Sequence, residues 1–222
     1  IMGLFDIFSR KTTATLITSV DKLLDIVDHS LLVFRDGVKN YLYNDVAGFD
    51  ENLVSMASLE TEAGIMIREI ERALYSRGYL IRSRGDIMRL LERLDHIINI
   101  ISADLIQFEI ETPNVPVELR KEFVKLAELA SLAVESTIPG TKAYFTQPKN
   151  ISETTGRVYF YEKEAVKLSQ SIKRTVFHNM VEDLKLSEKF HLRYFALHIE
   201  DLAKAAVKVA EQLSVMAIKR SL

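Results

Sequence analysis

Acidic residues recur at matching positions in the two halves of this chain of 222 residues. Residues 60–64 (Glu-Thr-Glu-Ala-Gly) return at residues 162–166 as Glu-Lys-Glu-Ala-Val. Residues 94–99 (Leu-Asp-His-Ile-Ile-Asn) return at residues 199–204 as Ile-Glu-Asp-Leu-Ala-Lys. Carboxylates close to an apolar helix face cost free energy to bury unless a cation or hydrogen bonds compensate them. The candidate functional side chains are therefore Glu60, Asp95, Glu162 and Glu200.

The apolar residues around these carboxylates alternate in spacings of three and four, which predicts the seam of an antiparallel helical bundle. In the third predicted helix the series is Ile87, Leu91, Leu94, Ile98, Ile101, Leu105 and Phe108. In the sixth helix it is Phe195, Ile199, Leu202, Ala206, Val209, Leu213 and Met216. In the second helix it is Leu53, Met56, Glu60, Ala63, Ile67, Ile70 and Leu74. Glu60 is therefore expected on the apolar stripe, and Glu162 in the equivalent register.

Glycine and proline divide the chain into six long predicted helices. The predicted ranges are 12–44, 51–77, 83–110, 117–146, 152–183 and 187–220. The third helix opens like a capping box, with Ser83 three residues before an aspartate, and the fourth should break or kink at Pro139. The fold class is therefore all-α, with two tandem pseudo-repeated three-helix bundles that meet near Pro113. They are residues 1–112 and 113–222, packed together as one elongated domain.

The composition is that of an ordinary globular protein. Of all residues 48% are hydrophobic and 27% are charged, which is enough apolar material for a large core. The net charge of −2 gives no reason to expect nucleic acid as a partner. The absence of cysteine suits a reducing cytosol, and no apolar stretch is long enough to span a bilayer. We expect a cytoplasmic protein whose contact with the membrane is at most peripheral, at the inner face.

Four short motifs lie in order along the chain. They are residues 3–8 (Gly-Leu-Phe-Asp-Ile-Phe), residues 59–70, residues 86–95 and residues 199–201 (Ile-Glu-Asp). Together they resemble the DUF47 branch of the PhoU-like proteins, which is often found beside low-affinity inorganic phosphate transporters. The similarity covers essentially the whole chain. In that family a Glu/Asp-x-x-x-Asp motif, repeated in both bundles, binds metal ions, often as multinuclear iron or zinc-type clusters.

This sequence departs from the metal-binding pattern of that family in all four places. Where the family has the trailing aspartate, this chain has Gly64, Asn99, Val166 and Lys204. Packed carboxylates repel one another without a cation among them, and Lys204 would supply a tethered positive charge. We therefore expect the metal clusters to be lost and the scaffold to be kept. The alternative is a helical bundle that retains a divalent or iron-type metal ion at the surviving carboxylates Glu60, Asp95, Glu162 and Glu200.

Arginine is concentrated around the turn between the second and third predicted helices. Residues 68–93 contain seven arginines and four carboxylates, and no lysine. Guanidinium groups bind phosphate and carboxylate groups in a bidentate way. Four of these arginines are candidates for binding an acidic partner surface or lipid headgroups: Arg77, Arg82, Arg84 and Arg89. The alternative is a solvated turn with local ion pairs.

The sequence contains no P-loop, dinucleotide-binding fingerprint or nucleophile elbow, so no enzymatic activity is expected. His198 is assigned no partner. The resemblance implies a cytoplasmic regulator of phosphate homeostasis that contacts an inorganic phosphate transporter, and the long helical faces favour a homo-oligomer. Besides the metal-binding alternative, a general helical adaptor for which phosphate is irrelevant remains open.

Overall fold

Helices make up nearly all of the structure. A computed structural model describes the protein over residues 4–75, 83–146, 151–178, 181 and 184–221. The helices are α1 (Leu4–Leu42), α2 (Val46–Tyr75), α3 (Arg84–Glu111), α4 (Val117–Glu135), α5 (Thr137–Thr146), α6 (Ile151–Phe177) and α7 (Leu186–Ser221). No strand occurs in these ranges, so the predicted all-α fold is confirmed, with the fourth predicted helix divided into α4 and α5. None of the described helices is both long enough and apolar enough to cross a membrane.

The break between α4 and α5 lies at Ser136, and its prediction at Pro139 is wrong by three residues. Proline has no N–H, and its ring clashes with the carbonyl four residues earlier. For Pro139 that carbonyl belongs to Glu135, the last residue of α4, so the helix is interrupted there. The hydroxyls of Ser136 and Thr137 each donate a hydrogen bond of 2.7 Å to a carbonyl in the last turn of α4.

The start of α2 lies at Val46, five residues before the predicted start. The carboxylate of Asp45 accepts a hydrogen bond of 3.1 Å from the backbone N–H of Gly48, which is the arrangement of a helix N-cap. A Cβ atom at Gly48 would lie 2.6 Å from Asp45 Oδ2 and 2.7 Å from Asn40 Nδ2. A side chain at position 48 would therefore push the side chains of Asp45 and Asn40 aside. Residues 46–50, which the prediction left between two helices, belong to α2.

The start of α3 is held by an ion pair, and the predicted capping box is wrong. Ser83 makes no side-chain hydrogen bond as a cap. Asp86 instead lies 2.8 Å from Lys219 Nζ near the end of α7. Asp86, the last residue of the motif, therefore joins two helices that are far apart in the sequence. The predicted end of the second helix at residue 77 lies outside the described residues.

The helices pack as two groups that share one core. Helices α1, α2 and α3 contact one another, as do α4, α6 and α7, and the groups meet where α3 packs on α7 and α1 packs on α4. The seams predicted for the third and sixth helices are confirmed, since every residue of both series is buried. The rings of Phe108 in α3 and Phe195 in α7 lie 4.5 Å apart between centroids. The division of the chain at residues 112 and 113 into two repeats stays a prediction.

The seam along α2 differs from its prediction at the position that bears on function. Four residues of the predicted series are buried: Met56, Ala63, Ile70 and Leu74. Glu60 is exposed, and Leu59 is buried in its place, so the expectation that Glu60 lies on the apolar stripe is wrong. A straight helix drifts by about 20° per seven residues from a strict 3–4 alternation. Here the drift places leucine inside and the carboxylate at the edge of the seam.

Candidate functional site

Glu200 in α7 is the most buried of the four candidate carboxylates, with a side chain that is 6% exposed. Its Oε1 atom lies 2.7 Å from Lys204 Nζ, one turn further along α7. Its Oε2 atom lies 3.0 Å from Lys173 Nζ in α6. Lys204 also lies 3.0 Å from Asp201. The carboxylate of Glu200 is therefore neutralised by two lysines, one from each of two packed helices.

The environment of this cluster keeps both the acid and the base charged. Burial acts to raise the pKa of Glu200, but hydrogen bonds from Lys204, Ser169 and Lys173 outweigh it, so the pKa lies below its usual value. Burial acts to lower the pKa of Lys204, but its hydrogen bonds to Glu200 and Asp201 raise it above its usual value. Charged hydrogen bonds of this kind are the strong ones, so the cluster fixes α6 against α7.

The matching carboxylates of the first half have neutral partners. Glu60 in α2 accepts a hydrogen bond of 2.7 Å from the hydroxyl of Ser102 in α3. Asp95 in α3 is half-buried and accepts a hydrogen bond of 3.2 Å from the side-chain amide of Asn99. A hydroxyl and an amide thus compensate these carboxylates, where two lysines do so in the second half.

The two candidate carboxylates of each half do not converge on one point. The serine that bonds Glu60 is seven residues from Asp95, which is about 10 Å along α3. Glu162 is half-buried and lies eleven residues before Lys173, the partner of Glu200, which is about 16 Å along α6. Oxygen ligands of a hard cation all lie within about 2.6 Å of the ion. Neither pair therefore fits a single metal site.

The four positions where the related family has aspartate also do not fit its metal clusters. The guanidinium of Arg68 lies 3.4 Å from the place of a Cβ atom on Gly64. The amide of Asn99 donates a hydrogen bond to Asp95, Val166 is aliphatic, and Lys204 is a cation, so none of these three side chains offers the carboxylate ligand that an aspartate would. Among the described histidine, aspartate and glutamate side chains, no group of three or more is arranged to hold a metal ion. The expectation that the clusters are lost stays a prediction.

A buried acid–histidine pair was missed by the sequence analysis, which assigned His198 no partner. Asp104 in α3 has a side chain that is 2% exposed, and its Oδ1 atom lies 3.5 Å from Nδ1 of His198 in α7. Burial raises the pKa of Asp104, while the contact with His198 opposes that rise. The hydrogen bond with Asp104 raises the pKa of His198. The sequence did contain a signal for this pair, because Asp104 lies between Ile101 and Leu105 on the predicted apolar stripe of α3 and a buried carboxylate there needs a partner.

Replacing His198 with glutamine should weaken the fold mainly at acidic pH. Because the folded-state pKa of His198 is raised above 6.5, its contribution to stability is present below that pH and is lost as the pH rises through the folded-state pKa. The ring is partly exposed, so we expect a contribution below about 1 kcal/mol. Denaturant unfolding of wild-type protein and H198Q at about pH 5.5 and about pH 8.5 measures it. A destabilisation that is larger at alkaline pH would contradict this assignment.

The arginines predicted to bind a partner are only partly described. Arg77 and Arg82 lie outside the described residues. Arg84 is half-buried, and its guanidinium lies 4.7 Å from the centroid of the Tyr75 ring, a cation–π contact that ties the start of α3 to the end of α2. Arg89 is exposed. The role of these arginines in partner binding stays a prediction.

Sequence comparison finds relatives along nearly the whole chain, although no family model matches it. The chain is 28% identical over 216 residues to a UPF0111 protein from Thermotoga maritima. The aligned region covers 96% of this chain and 98% of that protein. It is 26% identical over 197 residues to a UPF0111 protein from Pyrococcus horikoshii, and this aligned region covers 89% of this chain and 92% of that protein.

Solved structures share the same arrangement of helices. A protein described as a PhoU-like phosphate regulatory protein from Shewanella oneidensis MR-1 superposes with a TM-score of 0.81 at 16% identity, over 92% of this chain and 99% of that one. A PhoU-like protein from the same bacterium superposes with a TM-score of 0.79 at 16% identity, over 91% and 96% of the two chains. The chain therefore has the PhoU-like fold, and the resemblance to the DUF47 branch seen in its sequence is confirmed.

Proposed function

We propose that the protein is a non-enzymatic regulator of phosphate homeostasis that acts by contact with an inorganic phosphate transporter. The observation that carries this proposal is the match of the whole helical framework to a protein described as a PhoU-like phosphate regulatory protein. The polar contacts of the seam support it, because Glu200 is held by lysines and Glu60 by a hydroxyl. Such contacts fix helices against one another, as a scaffold for partner binding requires.

An exposed apolar patch at one end of α6 and α7 supports action by protein contact. Leu186, Phe190 and Tyr194 are exposed and lie four residues apart, so they share one face of α7. Phe177 of α6 extends this face, with its ring centroid 5.6 Å from that of Phe190. Aromatic residues in exposed clusters are typical of the centres of protein interfaces. We place the contact with the transporter at these four residues, which we call the α6–α7 aromatic patch.

Co-purification from cells that express both proteins tests this contact. We expect the inorganic phosphate transporter of the host to be recovered with the full chain. The substitution F190S should lower that recovery by about tenfold, because it removes an aromatic side chain from the centre of the patch. F160S is the matched control, since Phe160 is an aromatic residue of α6 that is 59% exposed, against 50% for Phe190. F160S should leave the recovery unchanged.

Uptake of radiolabelled phosphate in the same cells connects the contact with regulation. Expression of the wild-type chain should change the rate of uptake, and F190S should abolish that change. Equal recovery of unrelated membrane proteins would indicate a general helical adaptor. Absence of both recovery and an effect on uptake would contradict the proposal. Sedimentation of the purified chain tests the homo-oligomer, which we include in the proposal because the long helical faces favour self-association.

A further inference from the structure

A polar groove runs between α3 and α7, which belong to different halves of the chain, and the function proposed above does not use it. One part is a cavity of about 550 Å³ that includes the pair of Asp104 and His198. The adjoining part, toward the start of α3, is a cavity of about 400 Å³. The residues that line this second part are Arg89, Glu92, Arg93, His96, Ala205 and Lys208. We call it the cationic end of the groove.

Two arginines of α3 give this end of the groove its charge. Arg89 and Arg93 lie four residues apart and therefore project from the same side of the helix, where like charges repel one another. Neither guanidinium is in an ion pair with a residue that the structure describes. Glu92 is the one carboxylate among the described residues that line this cavity, so it offsets only part of the positive charge. Both guanidinium groups thus have free donors beside an open cavity.

Lys208 adds a third cation from the opposite helix. Its Nζ atom lies 3.1 Å from Glu211, one turn along α7. Both side chains of this pair are exposed, so the ion pair is weak in water and its lysine can turn to another anion. Ala205 lies one turn before Lys208 and carries only a methyl group, which leaves the cavity open on the α7 side.

The carboxylates of the first part of the groove do not cancel this charge. Asp104 lies eleven residues beyond Arg93, which is about 16 Å along α3. At physiological ionic strength the Debye length is about 8 Å, so the two charges are largely screened from each other. Asp201, which also lines the groove, is paired with Lys204 at 3.0 Å. The cationic end therefore keeps an excess of positive charge of its own.

We infer that the cationic end of the groove binds a phosphoryl oxyanion between the two halves of the protein. Arg89 and Arg93 offer forked donors that match two oxygens of a phosphate each, and Lys208 offers a point charge from the other side. A phosphate dianion balances more of this charge than a single carboxylate does. The idea that the bound oxyanion is a signal for a transport regulator rests on the proposed function. The binding itself can be tested on the purified chain without that function.

Calorimetric titration of the purified full chain in EDTA, at low ionic strength, tests the site without any transporter. The probes are inorganic phosphate, pyrophosphate and a short-chain polyphosphate, with acetate as the carboxylate comparison. We expect at least one phosphate probe to bind with a Kd tighter than about 1 mM. The double substitution R89Q/R93Q should weaken that binding by about tenfold or more. R157Q removes an exposed arginine of α6 outside the groove, and should leave it unchanged.

Two further measurements decide the source of the phosphate and exclude a loss of fold. Flotation measures binding of the protein to phosphatidylcholine vesicles with and without phosphatidic acid. The source is a lipid headgroup if wild-type protein binds only the vesicles that contain phosphatidic acid and R89Q/R93Q does not bind them. R93K keeps the charge but loses the fork, so its affinity should fall between those of wild-type protein and the double variant, with an unchanged circular dichroism spectrum. Equal binding by R89Q/R93Q and R157Q, acetate binding as tight as phosphate binding, or no binding of any probe would overturn the inference. Each result is independent of whether the transporter contact exists.

Discussion

Replacing Phe108 with alanine should lower the free energy of unfolding by about 3–5 kcal/mol. The side chain is fully buried, and its ring lies 4.9 Å from that of Tyr41 in α1 and 4.5 Å from that of Phe195 in α7, between centroids. The substitution leaves a cavity at the point where α3 meets helices of both groups, and packed neighbours collapse only partly into such a cavity. Denaturant unfolding followed by circular dichroism measures the loss.

The same experiment has a control on the same helix. Ile110 lies two residues further along α3 and is exposed, so I110A should change the free energy of unfolding by less than about 0.5 kcal/mol. If F108A costs less than about 1 kcal/mol, the shared core does not couple the two groups of helices as the structure indicates. Two separate unfolding transitions in the wild-type protein would argue against that coupling as well.

Replacing Glu200 with alanine should cost about 2–3 kcal/mol. The substitution leaves Lys173 without its acceptor at 3.0 Å, and it removes from Lys204 the acceptor at 2.7 Å, so that Lys204 keeps only Asp201. We expect less than the full cost of breaking a buried ion pair, because both lysines keep some contact with water. Denaturant unfolding at neutral pH measures the effect.

Two variants separate the cost of leaving Lys173 unpaired from the loss of packing. E200L combined with K173M replaces the pair across α6 and α7 by apolar side chains of similar length, and should recover most of the stability lost in E200A. E211A removes the carboxylate of an exposed pair in the same helix, and should have little effect. If E200A and E211A were equally mild, Glu200 would not be the anchor between α6 and α7 that its burial indicates.

The sequence predicted the packing of the helices better than their ends. Every residue of the 3–4 series predicted along α3 and α7 is buried, because apolar periodicity reports directly which face of a helix is covered. The start of α2 and the break at Ser136 were misplaced, because each depends on a local contact. Asp45 caps a helix that was expected to begin later, and the clash of Pro139 acts one turn upstream.

The candidate site shows where sequence reasoning stops. The exchange of aspartate for Lys204 predicted a tethered cation beside Glu200, because residues four apart on a helix are neighbours. The second lysine, Lys173, comes from another helix, and its contact with Glu200 depends on the axial register of α6 against α7, which the sequence does not give. The pairing of Asp104 with His198 has the same cause, since it depends on the register of α3 against α7.

The groove between α3 and α7 also requires that register. Arg89 and Arg93 could be assigned to one face of a helix from their spacing, but Lys208 lies more than a hundred residues away in the sequence. The arginine-rich region was expected to act as a surface for a partner near the turn before α3. The structure brings the last part of this region beside a lysine of the other half, which turns a charged helix face into one wall of a cavity.

The ion pair of Lys173 and Glu200 joins α6 to α7 through side chains alone, so its strength does not depend on the supply of a metal ion. An ion that binds only the folded state stabilises it in proportion to the logarithm of its free concentration, so a bundle held by ions loosens under metal starvation. A covalently attached ammonium group is always present at full occupancy. Because hydrogen bonds lower the pKa of Glu200, its carboxylate also stays charged when the pH falls moderately below neutral. The ion pair that joins α6 to α7 therefore does not weaken when metal ions become scarce.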